Sequence, residues 1–512
     1  MTALAIGPQP LTRADVIAVA RHHIPVRLTD EARAEMAKSR EIVEALADGD
    51  EPTYGISTGF GALATRSIPA SRRVDLQRSL VRSHAAGTGP EVETEVVRAL
   101  MLLRLSTLAT GRTGIRPSTA QAYAALLNAG ITPIVREYGS LGCSGDLAPL
   151  ASCALALLGE GEVRDDSGVR PARDALKEAG LSAVELAEKE GLALINGTDG
   201  MLGMLVLALH DLRMLLRCAD IAAAMSVEAL LGSVNAFADD LVALRPHPGQ
   251  QMSARNLRAL LVDSAIVASH QGPECTRVQD AYSLRCTPQV HGAALDTVVH
   301  AEAVADRELA AAIDNPVVAL DGRIASCGNF HGAPIGYVLD FLAIAVADIA
   351  SMSERRSDRA LDVARSAGLP PFLADDPGVD SGLMIAQYTQ AGLVSELKRL
   401  ATPASVDSIP SSAMQEDHVA MGWHAARKLR RSIDGLACVL AIEILTAARA
   451  LDLRSPLTPA PATEAVVTTL RERGVAGPGP DRHLSPEIDA TVDAVRDGTL
   501  LAAAESVAGP LA

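Results

Sequence analysis

The stretch Gly139-Ser-Leu-Gly-Cys-Ser-Gly-Asp-Leu-Ala-Pro-Leu150 decides how the rest of this sequence is interpreted. Three glycines interrupt it, and an apolar pattern with helical spacing follows over residues 150–158. Gly159 then predicts the end of that helix. Residues 143–145 should therefore lie where a turn meets a helix N-terminus, a place where backbone N–H groups and the helix dipole favour negative charge.

Other interpretations fit the same residues. Asp146 or Ser144 could cap the helix, with nothing further implied. The glycine spacing also suits a phosphate-binding loop, although no Lys-Ser/Thr pair follows it. The run from Gly142 to Gly145 falls one residue short of a Gly-x-Ser-x-Gly nucleophile elbow. It also resembles the Gly-x-Ser-Gly of trypsin-like proteases, whose many strands this composition does not favour. Taken alone, the stretch leaves these alternatives open.

Composition favours a mostly helical protein. The 512 residues allow about two to four domains, or one large helical body. Aromatic residues make up only 2% of the chain while Ala and Leu abound, which favours helices over strands. The net charge of −16 disfavours nucleic acid and anionic membranes as partners.

The scattered cysteines, the short apolar runs and the lack of a signal-peptide pattern favour a cytoplasmic protein. No signal-peptide pattern precedes the first polar segment, and uncharged apolar runs such as residues 201–209 are too short to span a membrane. The seven cysteines are scattered, which is typical of a reducing compartment. The twelve histidines show no metal-binding spacing. We therefore expect neither a bound metal nor a membrane partner.

The run Ser144-Gly145-Asp-Leu-Ala-Pro-Leu150 resembles the signature of the histidine and aromatic amino-acid ammonia-lyase family. The family has Ala where this chain has Cys143, and its three residues cyclise into 4-methylidene-imidazol-5-one. The resemblance implies that Cys143, Ser144 and Gly145 form this electrophile without an external cofactor. The residue types suit the chemistry, because Gly145 leaves its amide nitrogen accessible. Ser144 carries a β-hydroxyl that can leave as water.

Residues 54–61, Tyr-Gly-Ile-Ser-Thr-Gly-Phe-Gly, form a glycine-rich and therefore unusually bent or mobile loop. They resemble the family's Tyr-Gly-x-Asn-Thr-Gly-Phe-Gly, with Ser57 in place of Asn. In the family this tyrosine is a catalytic acid or base, so the resemblance implies that role for Tyr54. An unperturbed tyrosine has a pKa of about 10, so Tyr54 needs a lowered pKa to act as a base.

His84 ends a segment, residues 74–84, whose apolar spacing predicts a helix before Gly87. A positively charged imidazole is favoured at such a C-terminus. The run Ser83-His84-Ala-Ala-Gly resembles the histidine-specific version of the family's selectivity position. The resemblance implies that His84 contacts the substrate.

Glu416 lies in Ser411-Ser-Ala-Met-Gln-Glu-Asp-His-Val419, which we expect to open the last long helix. Ser412 and Gln415 fit a capping box, which would place Glu416 in the first helical turn. The segment resembles the Gln-Glu-Asp-His of histidine-specific members, in which the Glu faces the imidazole. Aromatic-specific members carry Gln there. The resemblance therefore assigns Glu416 to the catalytic site.

Three more segments resemble parts of the family's active site. Asn196 begins an Asn-Gly-Thr turn signal, and Arg285 lies in a Pro-bounded segment predicted to be irregular. Arginine is well shaped for a two-pronged grip on a carboxylate. The resemblance implies that Arg285 holds the substrate carboxylate and that Tyr282 belongs to the catalytic residues. The other implied pocket residues are Asn196, Gln279 and Phe330.

Periodicity predicts several further elements. A long helix over residues 201–231 carries one narrow polar stripe on an otherwise apolar cylinder, so it must be surrounded by other helices. The remaining predictions are two helices within residues 13–48, a surface loop at 159–175, a hairpin at 317–326, a helix at 336–355 and a weakly helical tail after Arg454.

The fold implied by the resemblance is all-α, an elongated bundle of long helices with minor short β-hairpins. Residues 1–200 would form an N-terminal part that carries the Tyr54 loop and the electrophile. Residues 201–512 would form a long-helix bundle that completes the active site and the oligomer interface. Family members are homotetramers with shared active sites, and we expect the same assembly here.

The resemblance implies non-oxidative deamination of L-histidine to urocanate and ammonia. The alternatives within the family are an aromatic amino-acid ammonia-lyase and an aminomutase. From other classes, the chain could be an inactive helical scaffold or, more distantly, a serine hydrolase that uses Ser144.

Overall fold

The computed structural model describes residues 2–49, 52–143, 145–272, 275 and 278–512. The chain is 59% helix and 7% strand, which confirms the predominantly helical fold class. In chain order, the α-helices are α1 Arg13–His22, α2 Asp30–Ala47, α3 Arg73–His84, α4 Thr94–Ala109, α5 Pro117–Asn128, α6 Leu147–Leu157, α7 Ala172–Glu178, α8 Glu190–Ile195, α9 Asp199–Ala229, α10 Asp239–Ala243, α11 Pro248–Leu260, α12 Ala265–Ala268, α13 Tyr282–Arg285, α14 Thr287–Leu309, α15 Ala333–Leu361, α16 Met384–Leu400, α17 Gly422–Asp452, α18 Pro461–Glu472, α19 Ser485–Arg496 and α20 Thr499–Ala508.

The strands are short and form four small sheets within the described residues. They are β1 Leu4–Ile6, β2 Val26–Leu28, β3 Thr88–Glu91, β4 Thr132–Pro133, β5 Arg136–Tyr138, β6 Glu162–Asp165, β7 Gly168–Pro171, β8 Val317–Val318 and β9 Ile324–Ala325. The pair β1-β2 is parallel, whereas β3-β5, β4-β6-β7 and β8-β9 are antiparallel.

The chain folds into two compact units, each built from separate segments. The first unit comprises Met1–Leu207, Glu302–Asp340 and Pro403–Arg427. The second unit comprises Ala208–Ala301, Phe341–Thr402 and Lys428–Ala512. The functional division at residue 200 that the sequence suggests stays a prediction.

Helix α4 is central to the first unit. Every residue from Val96 to Ala109 is buried, including two arginines. Arg98 donates to the carbonyl oxygens of Val19 and Leu127, while Arg104 donates to those of Asn196 and Ile313. A buried charge is costly unless hydrogen bonds satisfy it. These arginines therefore bind distant loops to the core, and one of those loops carries Asn196.

A buried ion pair organises the second unit. Arg356 on α15 and Glu443 on α17 form two hydrogen bonds, and both side chains are fully buried. Ser226 on α9 donates to the same carboxylate at 2.7 Å. Arg356 also donates to the carbonyl oxygen of Ser283 at 3.3 Å. The pair thus ties three helices to α13, the short helix that begins at Tyr282.

Several sequence predictions are confirmed by these elements. Helices α1 and α2 lie on either side of Pro25, and β8 and β9 form the predicted hairpin, with Gly322 at φ +84° in its turn. Helix α9 matches the long helix predicted over 201–231, and α15 is longer than predicted. The tail after Arg454 contains the three helices α18 to α20.

The prediction of a surface loop at residues 159–175 is wrong. Strands β6 and β7 form a hairpin there, and α7 follows. Val163 is fully buried, and Gly168 adopts φ +99° at the turn. The segment is polar because most of its side chains face solvent, which hid the strand pattern.

One helix, α15, has the length and composition of a possible membrane span, although Asp340 and Asp348 interrupt its apolar sequence. By length and composition alone, Ala333–Leu361 could cross a bilayer, and no other described helix could. In this structure, 56% of its most apolar window is buried inside the protein. A buried core helix has the same length and composition, so this finding is weak support for a membrane span.

Glu443→Ala should strongly destabilise the second unit. The substitution leaves Arg356 buried without its partner, and breaking a buried pair in this way costs roughly 3–5 kcal/mol. Urea denaturation measures the loss in the free energy of unfolding. Glu396→Ala is the control, because Glu396 pairs with Arg399 on the exposed surface of α16 and should change stability little. Equal effects of the two substitutions would contradict this account of the core.

Candidate active site

Cys143 and Gly145 lie shortly before α6, as the sequence predicts, and the turn to which they belong is called the electrophile turn after the expected cofactor. Gly145 adopts φ +72° and pairs with Gly197 in an isolated parallel bridge. A Cβ atom at Gly145 would lie 2.0 Å from the carbonyl oxygen of Gly197, so no other residue fits there. Cys143 is buried. Ser144, the proposed source of the alkene, lies outside the described residues.

Asp146 is one of the two residues that the sequence offers as a cap for α6, and its side chain does not cap this helix. It occupies the N-cap position, but its side chain makes no cap hydrogen bond there. Its carboxylate instead accepts from the Ser140 hydroxyl at 2.8 Å and from the amides of Gly200 and Met201 at 2.8 and 2.9 Å. These amides belong to the first turn of α9. Asp146 therefore links the electrophile turn to the segment that carries Asn196.

The buried environment of Asp146 perturbs its protonation. Burial raises the pKa of this carboxyl to about 7, although the hydrogen bonds from Met201, Ser140 and Gly200 act in the opposite direction. The nearby charge of Asp199 also raises this pKa. Asp146 therefore titrates close to neutral pH.

Asn196 is buried and held from two sides. Its side-chain amide donates to the carbonyl oxygen of Asn315 at 3.0 Å, and its main-chain carbonyl accepts from Arg104 at 2.5 Å. Its side-chain oxygen has no hydrogen-bond partner among the described residues. A buried acceptor that lacks a partner is costly. This oxygen is thus available to a ligand.

Tyr54 is half-buried at the start of its glycine-rich loop. Its hydroxyl oxygen accepts from the amide of Gly61 at 3.3 Å, and its ring meets Phe60 edge to face at 6.4 Å. Burial raises the pKa of Tyr54, and the charges of Glu416 and Asp314 act in the same direction. With its pKa raised above the usual value of about 10, the phenol of Tyr54 is protonated at neutral pH.

His84 ends α3, as the sequence predicts. Its Nδ1 lies 2.9 Å from the carbonyl oxygen of Leu80 and 3.0 Å from the Ser83 hydroxyl. Burial lowers the pKa of His84, more than Leu80 and Glu416 raise it. Desolvation thus disfavours the positively charged imidazole here, although the end of a helix favours it. With Nδ1–H donated to Leu80, the neutral ring presents Nε2 as an acceptor.

Glu416 does not lie in the first turn of a helix as predicted. Helix α17 begins at Gly422, and residues 412–414 form a 3₁₀ turn with φ between +49° and +67°. Ser411 and Glu416 close this turn as an antiparallel bridge. The capping box is absent because the Ser412 hydroxyl accepts from the amide of Ala62 at 3.4 Å instead.

The Glu416 carboxylate lies among the other site residues of the first unit. The Ser411 hydroxyl donates to its Oε2 at 3.0 Å, and the Cys143 thiol lies 3.9 Å from the same oxygen. Its charge raises the pKa values of both Tyr54 and His84. Glu416 thus acts electrostatically on both of these side chains.

Phe330 lies half-buried in the turn before α15. This turn is joined to the electrophile turn, since the amide of Gly332 donates to the carbonyl oxygen of Gly142 at 2.9 Å. The first unit therefore contains seven described site residues that the sequence predicts. They are Tyr54, His84, Cys143, Gly145, Asn196, Phe330 and Glu416.

The other three predicted residues, Gln279, Tyr282 and Arg285, lie in the second unit. Arg285 belongs to the short helix α13, so the prediction of an irregular segment is wrong at this residue. Its guanidinium lies 4.8 Å from the ring centroid of Tyr282, whose side chain is 71% exposed. Gln279 and Arg285 line a pocket of about 530 Å³ together with Ser233, Asn235, Ala236, His270, Gln271, Gly272, Cys275, Val278 and Asp280.

Sequence reasoning missed the residues that hold the site together. Arg104 supports Asn196, and Lys189 forms a fully buried ion pair with Asp314, the residue before Asn315. Two arginines in the otherwise apolar helix α4 were a usable signal for such a role. Nothing in the sequence marks Ser411 as the donor to Glu416.

No group of three or more His, Cys, Asp or Glu residues could hold a metal ion within the part of the chain that the structure describes. The hydrogen-bonded arrangement of the first unit instead offers acid, base and acceptor groups. Such groups can take part in proton transfer and in polar recognition of a ligand.

Comparisons of the whole chain relate it to known proteins. Residues 11–472 match the family model for aromatic amino acid lyase. The chain is 63% identical to the histidine ammonia-lyase of Streptomyces avermitilis over 513 residues, with 100% of both chains covered. It matches the crystal structure of histidine ammonia-lyase from Trypanosoma cruzi at 37% identity and a TM-score of 0.90, covering 99% of this chain and 96% of that chain. It also matches tyrosine aminomutase from Streptomyces globisporus at 38% identity and a TM-score of 0.92, covering 99% of both chains.

The raised pKa of Asp146 predicts a pH-dependent stability. Because this pKa rises from 3.8 to about 7 on folding, the folded chain holds the proton more tightly than the unfolded chain. The contribution of the Asp146 carboxyl to the free energy of unfolding is complete below about pH 4 and is lost as the pH rises towards about 7. The Asp146→Asn variant cannot ionise at this position, so its free energy of unfolding should lack a pH-dependent part on the order of a few kcal/mol. Urea denaturation across this pH range measures it, and identical slopes for both proteins would refute it.

Proposed function

The chain belongs to the aromatic amino acid lyase family, and from that premise we propose that it deaminates L-histidine to urocanate and ammonia. The observation that carries this proposal is the position of Glu416, which acts electrostatically on Tyr54 and His84 and contacts Cys143. An imidazole ring needs polar partners, and a site built for hydrogen bonds disfavours rings that cannot use them. Phenylalanine would leave the Glu416 carboxylate desolvated and unpaired.

An aminomutase or aromatic amino-acid lyase is the second candidate, favoured by the likeness to tyrosine aminomutase. The greater identity to a histidine ammonia-lyase argues against it. The presence of Glu416, where aromatic-specific members carry Gln, argues in the same direction.

We infer that Cys143, Ser144 and Gly145 cyclise into the methylidene-imidazolone of the family. The backbone fits this reaction, because Gly145 carries no side chain and is held in a left-handed conformation against Gly197. Ring closure between the Gly145 nitrogen and the Cys143 carbonyl uses only backbone atoms of residue 143, so a thiol there is compatible. The group supplies an electrophilic alkene that bonds the substrate amine and makes it a better leaving group.

The side chains of the first unit then divide the remaining tasks. The neutral His84 ring, with Nε2 as acceptor, and the Glu416 carboxylate bind the imidazole of the substrate. Asn196 offers its unpartnered side-chain oxygen as a further acceptor, and Phe330 supplies an apolar wall. The protonated Tyr54 is a proton donor in this chain and becomes a base only if a positive charge lowers its pKa.

The carboxylate of the substrate is assigned to Arg285, whose fork matches its two oxygens. Gln279 and Tyr282 accompany Arg285 in this assignment. The Arg285 Nε atom is buried without a partner among the described residues, so a bound carboxylate would satisfy it. The exposed ring of Tyr282 makes this segment accessible to another molecule.

We also propose a homotetramer with shared active sites. Helix α15 exposes Tyr337, Phe341 and Ile344 at helical spacing, with 61%, 48% and 46% of their surfaces accessible. An apolar stripe of this kind marks a protein interface. Four identical chains usually assemble with closed dihedral symmetry.

The proposed location is the cytoplasm, without nucleic acid or membrane partners. No disulfide joins the seven cysteines, all of which lie in described residues. The net charge of −16 would repel both kinds of polyanion.

The substrate assignment predicts that L-histidine yields urocanate, seen as a rise in its ultraviolet absorbance, with little product from phenylalanine or tyrosine. Glu416→Gln should lower histidine turnover about tenfold or more, since it replaces a charged acceptor. Glu396→Gln makes the same chemical change on the exposed surface of α16 and should leave turnover unchanged. Comparable turnover of all three amino acids would contradict the assignment, and a β-amino acid product would favour an aminomutase.

The cofactor proposal predicts an intact chain lighter by two waters, because cyclisation and alkene formation each release one. Ser144→Ala cannot lose the second water, so the electrophile's absorbance and nearly all turnover should disappear. Ser152→Ala, in the helix that follows, should retain both. The full unmodified mass in an active sample would overturn the proposal, and labelling of Ser144 by a fluorophosphonate would indicate a serine hydrolase instead.

A further inference from the structure

We propose that Ser411 is a positioning residue for the deamination, because its hydroxyl holds one carboxylate oxygen of Glu416 and leaves the other for the substrate imidazole. The inference rests on the proposed function and adds a residue that determines specificity. Ser411 itself contacts neither the electrophile turn nor the imidazole in this role.

The two oxygens of Glu416 have different surroundings. Oε2 accepts from the Ser411 hydroxyl at 3.0 Å and lies 3.9 Å from the Cys143 thiol. Both of these contacts are made by Oε2 and neither by Oε1. Since a hydroxyl is a much stronger donor than a thiol, Ser411 supplies the main restraint.

The backbone between the two residues fixes this contact. The amide of Ser411 donates to the carbonyl oxygen of Glu416 at 2.7 Å, and the amide of Glu416 donates back at 3.2 Å. Residues 412–414 all have positive φ, so this turn is tightly constrained. The Ser411 side chain is therefore held next to Glu416 whether or not a substrate is bound.

The Oε1 oxygen faces the Tyr54 loop. A Cβ atom built on Gly61 would lie 3.9 Å from Oε1 of Glu416, an ordinary contact distance, so this oxygen is next to the loop. The amide of the same glycine donates to the Tyr54 hydroxyl. A ring bound next to Oε1 would thus be close to the loop that carries the proton donor.

Holding one oxygen has a clear advantage for recognition. A free glutamate loses side-chain entropy when it binds a ligand, and a carboxylate already held in place avoids part of that loss. A correctly oriented acceptor also fixes the ring, and with it the β-proton that must be removed. Ser411 should therefore affect histidine turnover only through Glu416.

The test is a double-mutant cycle with isosteric replacements. Ser411→Ala should lower kcat/KM for L-histidine about tenfold, as expected for a lost hydrogen bond to a charged group. Ser411→Thr keeps the hydroxyl and should restore most of this activity, whereas Ser411→Val has the same shape and should not. In the Glu416→Gln background, Ser411→Ala should change kcat/KM less than about twofold, because coupled residues are not additive.

Two controls separate positioning from general loosening of the segment. The electrophile's absorbance and the melting temperature should be the same in the Thr and Val variants. Ser408→Ala removes a hydroxyl that contacts His418 and the Val419 amide on the same segment, and any loss it causes should be equal in both Glu416 backgrounds.

Equal activity of the Thr and Val variants would overturn the inference, as would an undiminished effect of Ser411→Ala in the Glu416→Gln background. The absence of urocanate from the unmodified chain would instead overturn the proposed function.

Discussion

The close approach of Gly145 to Gly197 is the contact on which the candidate active site depends. The amide of Asp146 donates to the Gly197 carbonyl at 2.7 Å, and neither glycine has room for a side chain. A Cβ atom at Gly197 would meet Asp199 and Arg104 at 2.3 and 2.6 Å. The electrophile turn and the Asn196 segment are therefore locked together by their backbones, and Asp146 adds a second link through the first amides of α9.

Buried charges stiffen the surroundings of this contact. Arg104 binds the carbonyl oxygens of Asn196 and Ile313, and the Lys189–Asp314 pair lies beside the same chain segment. Burying charges is favourable only when partners satisfy them, so these residues hold an irregular backbone that apolar packing alone would leave loose. Burial also raises the pKa of Tyr54 and lowers that of His84, which favours the neutral form of both side chains, and Glu416 acts electrostatically on both.

Local sequence predicted much of this structure, but not its long-range contacts. Helical periodicity predicted α9 and α15, and the Asp321-Gly322 pair predicted the β8-β9 hairpin. These features could be predicted because they depend on residues that are close in sequence. The amides that donate to Asp146 belong to Gly200 and Met201, 54 and 55 positions further along the chain. The Ser412 hydroxyl accepts from the amide of Ala62, which is 350 positions away in sequence. Capping rules consider only residues that are close in sequence. They therefore could not predict the distant partners of Asp146 and Ser412.

The substrate cannot be decided by the fold, because a histidine lyase and a tyrosine aminomutase both superpose closely on this chain. The choice must depend on a few side chains. A tyrosine ring carries a hydroxyl at its far end, whereas an imidazole carries its polar atoms within the ring. The restrained carboxylate of Glu416 or the acceptor nitrogen of His84 can accept the one N–H that a neutral imidazole carries. An aromatic ring without an N–H would leave that acceptor unsatisfied, and this cost favours histidine.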